Sequence, residues 1–291
     1  MITPSNPGFV VMGQKLGTER LYNYINKFGF GKKTGIDLNG EGSGILFSLE
    51  KMGPVETATT AFGQGVSVTP IQQVNAVSAA VNGGTLLKPY IVKSINEPEN
   101  NTIIYENKKT EIRNVITSKT SELVRFTLEN VVAKGTGRNA YIENYRVGGK
   151  TGTAQKVKNG IYMVGNYIVS FIGFMPADNP KIVVYVAIDN PKGITQYGGT
   201  VAAPIAKNIL KDAINVLDIK KSKDVIPKEY NWMDTKYKQV PDVVGKNVND
   251  AKNILKGFTV EYSGNGENVI YQSPDANTYV KENGTIKLML D

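Results

Sequence analysis

Between residues 146 and 189 the apolar pattern of this 291-residue chain changes from a helical to an extended period. The runs 146–156, 162–175 and 181–189 read as strands, and Pro176-Ala177-Asp178-Asn179-Pro180 turns the second run into the third. Strands joined by turns rather than by helical crossovers imply an antiparallel sheet with helices on its faces, an α+β layer and not a βαβ repeat. Three helices are available to cover it. Thr69-Pro70-Ile71-Gln72 is a capping box with proline at the first helical position, followed by Val74, Val77 and Val81 on one face and a stop at Gly83-Gly84. A second helix starts near Thr117 and Ser118, aligns Val124, Leu128, Val131 and Val132, and ends at Gly135. The third starts near Ala203-Pro204 and stacks Ile205, Ile209, Ala213 and Val216.

The chain contains no histidine and no cysteine. That removes the Ser-His-Asp and Cys-His mechanisms and leaves no ligands for an ordinary zinc site. Acyl or hydrolytic chemistry here has to run on Ser, Thr, Lys, Tyr and carboxylates, and no metal or other cofactor is implied. The formal net charge is +8. From residue 240 onward five Lys face four Asp and three Glu, a net of −2, so residues 1–239 carry +10. The lysines are scattered, without interleaved aromatics, which argues against nucleic acid and for a solvated basic surface, or for attraction to an anionic wall or membrane. Neither a signal-peptide pattern nor an apolar run of membrane-spanning length is present in the sequence.

On the first of the strands lies Gly149-Lys150-Thr151-Gly152-Thr153. Side chains alternate on a strand, so Lys150 and Gly152 face one way and Thr151 and Thr153 the other. Such a strand offers an ammonium, two hydroxyls and backbone donors along one edge, with Gly152 leaving room for a peptide to lie alongside. Threonine hydroxyls suit a substrate carboxylate, and the Thr153 N–H suits an oxyanion. A glycine-rich turn with a solvated lysine is the plain alternative. A phosphate loop is not, because Asn144 stands where its first glycine belongs and the chain after Thr151 is extended, not helical. A lysine-activated serine needs Ser-x-x-Lys on a helix, and the spacing occurs at Ser48-Leu49-Glu50-Lys51, where Gly53-Pro54 opposes a helix running through Lys51.

The sequence divides into residues 1–217, a lysine-rich stretch 218–239 without an apolar period that reads as a linker, and a small folded segment 240–291. In the last, a helix over 249–256 precedes extended runs at 259–262, 269–272 and 285–290.

Several landmarks stand in a common order: Ser5-Asn6-Pro7-Gly8-Phe9, Phe28-Gly29-Phe30-Gly31, Thr34-Gly35-Ile36-Asp37, Ala61-Phe62-Gly63-Gln64-Gly65, Gly135-Thr136-Gly137 and Lys150-Thr151-Gly152-Thr153-Ala154-Gln155. Together they resemble the transpeptidase domain of a class B penicillin-binding protein of the sporulation type, from Asn6 to about Leu217. Val240-Pro241-Asp242-Val243, Ala251 and Gly284-Thr285-Ile286 resemble one PASTA module. The resemblance implies the C-terminal part of an α+β transpeptidase domain followed by a small α+β domain, and D,D-transpeptidation of peptidoglycan stem peptides in cell-wall or spore-cortex synthesis. It implies a serine acyl-enzyme, β-lactams as covalent inhibitors of the complete enzyme, cell-wall or sporulation proteins as partners, and a membrane-anchored protein with its catalytic domain outside the cytoplasm. By position, Lys150 and Asn6 are catalytic, Asn6 being the asparagine of Ser-x-Asn, and Thr151, Gly152 and Thr153 bind substrate. The serine of Ser-x-Asn aligns with Pro4, and the family's Ser-x-x-Lys helix belongs upstream of Asn6 while the sequence begins at Met1. The expectation is therefore a chain without its own nucleophile and inactive alone, with Ser48 a coincidence of spacing. The contrasting expectation is a non-catalytic, wall-binding or interaction fragment carrying a PASTA module.

Overall fold

The computed structural model describes residues 5–158, 160–230 and 237–291. They form two compact units, Met1–Glu229 and Tyr230–Asp291.

In chain order the large unit contains helices α1 (Asn6–Leu16), α2 (Thr18–Lys27), α3 (Pro54–Ala61) and α4 (Pro70–Val81), then short strands β1 (Thr85–Leu87), β2 (Ser94–Asn96), β3 (Ile103–Glu106) and β4 (Glu111–Asn114). Helix α5 (Ser118–Lys134) leads into strands β5 (Gly148–Lys158), β6 (Ile161–Met175) and β7 (Ile182–Asp189), and α6 (Gly198–Val216) follows. The sheet β5-β6-β7 is antiparallel throughout, with Thr151 opposite Phe171 and Phe171 opposite Val186. Strand alternation gives it two apolar faces. Phe171, Met175 and Val184 point into a core shared with Ala202, Ala203, Ala206 and Leu210 of α6 and with Val132 and Ala133 of α5. Phe174 and Val183 point the other way, against Val77 and Val81 of α4. Each fully buried aromatic or aliphatic side chain of this kind contributes about 1.5–3 kcal/mol.

The expected capping box at α4 is present: Thr69 Oγ1 accepts from the Gln72 N–H and Gln72 Oε1 from the Thr69 N–H. Gln72 is buried and its amide also donates to the carbonyls of Lys32 and Ser43, so one side chain fixes both the helix start and the preceding glycine-rich segment. Helix α6 begins at Gly198, earlier than the Ala203-Pro204 start expected from the sequence, and Pro204 lies inside it. Glycine at its first two positions permits close contact with the sheet. A β carbon on Gly198 would lie 2.2 Å from the Ser170 carbonyl oxygen and 2.5 Å from that of Gly152.

The stretch expected as a linker from Asp218 docks in its first part. Ile219 is buried in the large core, Val225 and Ile226 pack against it, and the Glu229 N–H donates to the Ala133 carbonyl. The compact units divide at Glu229 and Tyr230. In the small unit β8 (Tyr237–Gln239) pairs with β11 (Tyr279–Lys281). Helix α7 (Val248–Ile254) accompanies β9 (Thr259–Ser263), β10 (Val269–Ser273) and β12 (Thr285–Leu290), in the order β10-β12-β9 with β9 parallel to β12. Its core is Val240, Val243, Ala251, Leu255, Val269, Ile286 and Leu288.

One buried ion pair anchors the approach to β5. Glu129 of α5, 2% exposed, accepts from Arg146 Nε at 2.9 Å and Nη2 at 2.7 Å. The bidentate carboxylate raises the Arg146 pKa. Removing one partner of a buried pair leaves a desolvated charge, at a cost of about 3–5 kcal/mol. Glu129→Ala is expected to destabilise the large unit by that amount in urea unfolding. Lys109→Ala, at the exposed pair with Glu111, should shift stability by no more than about 0.5 kcal/mol. Equal effects would refute the anchoring role.

Candidate active site

Strand β5 pairs with β6 along one edge; among the described residues its other edge carries no strand. Lys150, Thr151, Gly152 and Thr153 therefore lie together on an edge strand, the kind of element to which a peptide strand can add. Their faces follow the register. Lys150 lies opposite Ile172 on the α4 side, and Thr151 lies opposite Phe171 on the α6 side.

Lys150 is half-buried, and burial lowers its amine pKa below the usual lysine range. Nζ donates to the Thr151 carbonyl at 2.8 Å and to Thr151 Oγ1 at 3.4 Å. The ammonium thus caps a carbonyl of its own strand. Thr151 Oγ1 is also 2.9 Å from Thr136 Oγ1. Thr153 Oγ1 accepts from the Gly198 N–H at 3.3 Å. A hydroxyl that accepts in this way keeps its own proton to donate, and Thr153 is exposed, so that proton is available to an acceptor-only carboxylate. At Gly152 a β carbon would lie 2.5 Å from Ser170 Oγ, so a side chain there would force that hydroxyl to move. A cation and a free hydroxyl donor on one open edge can bind a peptide carboxylate and stabilise developing negative charge.

Asn6 is exposed at the start of α1, where Ser5 Oγ caps the helix by accepting from the Gly8 N–H at 3.3 Å. Among the described residues, no hydrogen bond joins the Asn6 side chain to the Lys150 strand. Pro4, aligned with the motif's serine, lies outside the described residues. Ser48 precedes a three-residue 3-10 turn, Leu49–Lys51, and is exposed, as is Lys51. The contact between them is backbone, Lys51 N–H to Ser48 carbonyl, so this lysine does not activate this serine.

Sequence reasoning passed over the residues that brace the strand. Asn139 Nδ2 donates to the Gly199 carbonyl at 2.8 Å. Gln196 accepts from the Tyr167 N–H at 3.0 Å and donates to the Gly165 carbonyl at 3.1 Å, tying the loop before α6 to β6. These contacts cross 29 to 60 residues of sequence and leave no local pattern.

The penicillin binding protein transpeptidase domain matches residues 1–211, and the PASTA domain matches residues 238–291. The chain is 59% identical over 285 residues to stage V sporulation protein D of Bacillus subtilis, covering 98% of this chain and 44% of that protein. It is 34% identical over 219 residues to the probable peptidoglycan D,D-transpeptidase PenA of Neisseria meningitidis, covering 75% of this chain and 36% of that protein. The crystal structure of penicillin binding protein 3 from Mycobacterium tuberculosis, complexed with ampicillin, matches with a TM-score of 0.69 at 30% identity, over 78% of this chain and 53% of that one. Penicillin binding protein 2X from Streptococcus thermophilus matches with a TM-score of 0.67 at 25% identity, over 99% of this chain and 43% of that one. The chain thus spans roughly half or less of the length of each of these relatives. With its open Lys-Thr-Gly strand on an antiparallel sheet between helices, the chain belongs to the penicillin-binding-protein transpeptidase family and carries a PASTA domain at its C-terminal end.

Proposed function

We propose that this chain is the substrate-binding part of a peptidoglycan D,D-transpeptidase of the sporulation type, acting on stem peptides outside the cytoplasmic membrane. The observation that carries the reading is the open edge of β5, where Lys150 Nζ and the Thr153 hydroxyl are presented within the family's fold. A stem peptide adds to this edge as a strand, and its terminal carboxylate accepts hydrogen bonds from the Thr153 and Thr151 hydroxyls. Lys150 leaves the Thr151 carbonyl to meet the charge, and the Thr153 N–H serves the oxyanion. Asn6 acts as the asparagine of Ser-x-Asn. The attacking serine and its lysine come from the family's Ser-x-x-Lys element, a spacing this sequence offers at Ser48 and Lys51. Ser48, the one serine with that spacing, meets Lys51 through backbone alone. Membrane tethering, as in the family, is not supplied by the described residues, none of whose helices is long and apolar enough to cross a membrane. Partners of this activity are stem peptides, β-lactams as substrate mimics, and the other proteins of wall or cortex assembly.

Labelling with a fluorescent penicillin, read on a denaturing gel, tests the assignment. Residues 1–291 alone are expected to give no covalent band, because Ser48 is not activated by Lys51. A form extended to carry Ser-x-x-Lys upstream is expected to be labelled, and Lys150→Ala in that form should slow acylation by about two to three orders of magnitude at equal thermal stability. A band on the short chain that vanishes in Ser48→Ala would contradict the nucleophile assignment. An extended, folded form that resists labelling would contradict the transpeptidase reading.

The lowered Lys150 pKa adds a pH signature. The ammonium is the form that attracts a carboxylate, and burial makes it lose its proton at lower pH than an ordinary lysine. Stem-peptide affinity should therefore be full at neutral pH and fall as pH rises, beginning below the ordinary lysine range. Lys150→Gln should flatten that alkaline limb. An unchanged limb in the variant would assign the titration to another group.

A further inference from the structure

The Gly135-Thr136-Gly137 turn that ends α5 has no part in the chemistry above, yet it reaches the binding strand through the 2.9 Å contact between Thr136 Oγ1 and Thr151 Oγ1. The turn is itself well held. The Gly137 N–H donates to the Val131 carbonyl at 3.1 Å, and Arg138 Nη1 donates to the Gly135 carbonyl at 2.9 Å. Asn139 then bonds the Gly199 carbonyl, and the neighbouring Gly198 N–H bonds Thr153 Oγ1. Turn, helix start and strand are thereby joined on the face that carries both threonine hydroxyls.

We infer that Thr136 is a positioning residue whose hydroxyl directs the Thr151 hydroxyl proton toward a bound substrate carboxylate. A hydroxyl has one proton and two acceptor sites. With Thr136 as donor at 2.9 Å, Thr151 Oγ1 accepts and its own proton is left for a third group, whether or not Lys150 Nζ stays at its 3.4 Å distance. A carboxylate only accepts, so its arrival selects this arrangement, and each donor polarises the next. Thr136 acts through Thr151 and does not touch the substrate. The inference rests on the transpeptidase reading of β5 and extends it to a turn outside the Lys-Thr-Gly strand.

The test is an amide chemical-shift titration of the isotope-labelled 291-residue chain with acetyl-D-alanyl-D-alanine and, separately, with its C-terminal carboxamide. Thr136→Val is expected to weaken the carboxylate ligand about three- to tenfold, the net worth of one hydrogen bond, and to leave the carboxamide affinity unchanged. Thr136→Ser should restore the wild-type value, and Thr136→Ala should repeat the selectivity of the valine variant. Equal carboxylate affinity in wild type and Thr136→Val overturns the inference and leaves the transpeptidase reading standing. So does a parallel loss for both ligands, or a collapsed spectrum in both hydroxyl-free variants, since either makes Thr136 merely structural. Failure of the wild-type chain to bind the carboxylate ligand at all overturns the transpeptidase reading, and this inference with it.

Discussion

Phe171 and Phe174 of β6 occupy the space that β carbons would take on β5, 2.4 Å from the Gly149 position and 2.3 Å from the Gly148 position. This interlock sets everything downstream of it. One ring faces the α5 and α6 core and the other faces α4, so the register of β5 cannot slip by a residue without placing a side chain inside a ring. The same register assigns Lys150 to one face and the two threonines to the other. Glu129 and Arg146 then fix the chain just before the strand.

The electrostatics of the site follow from that geometry. Lys150 is held where burial disfavours its charge, and its ammonium is satisfied by a carbonyl of its own strand. In the proposed function this half-buried cation exchanges a weak internal partner for a stronger external one, because a carboxylate supplies a full charge where the carbonyl supplies a dipole. The close approach of α6 to Gly152 and Ser170 brings the Gly198 amide to Thr153, and this leaves the Thr153 proton to be donated outward.

The central sheet, α4 and α5 were legible because their apolar periods are long and their caps are chemically distinctive. The small strands were not. β3 and β4 have four residues each and are exposed at every position, so no alternation separates them from loop. The start of α6 was misplaced for a specific reason: Gly198-Gly199 carries the composition of a breaker, and only the sheet beneath it explains why glycine is needed there. The docked part of the expected linker depends on Ile219, Val225 and Ile226, too widely spaced among lysines to form a period. In the site, the Lys-Thr-Gly strand announces itself by motif. Thr136 beside the strand, Asn139 at the start of α6 and Gln196 at β6 are ordinary polar residues whose partners are distant in sequence.

The most direct measurement of the central claim is a crystal structure of the chain bound to a D-alanyl-D-alanine peptide. The account predicts the peptide hydrogen-bonded along the open edge of β5, its carboxylate at the Thr153 hydroxyl, and Lys150 Nζ withdrawn from the Thr151 carbonyl. A peptide bound away from that edge, with the Lys150–Thr151 contact intact, would contradict it.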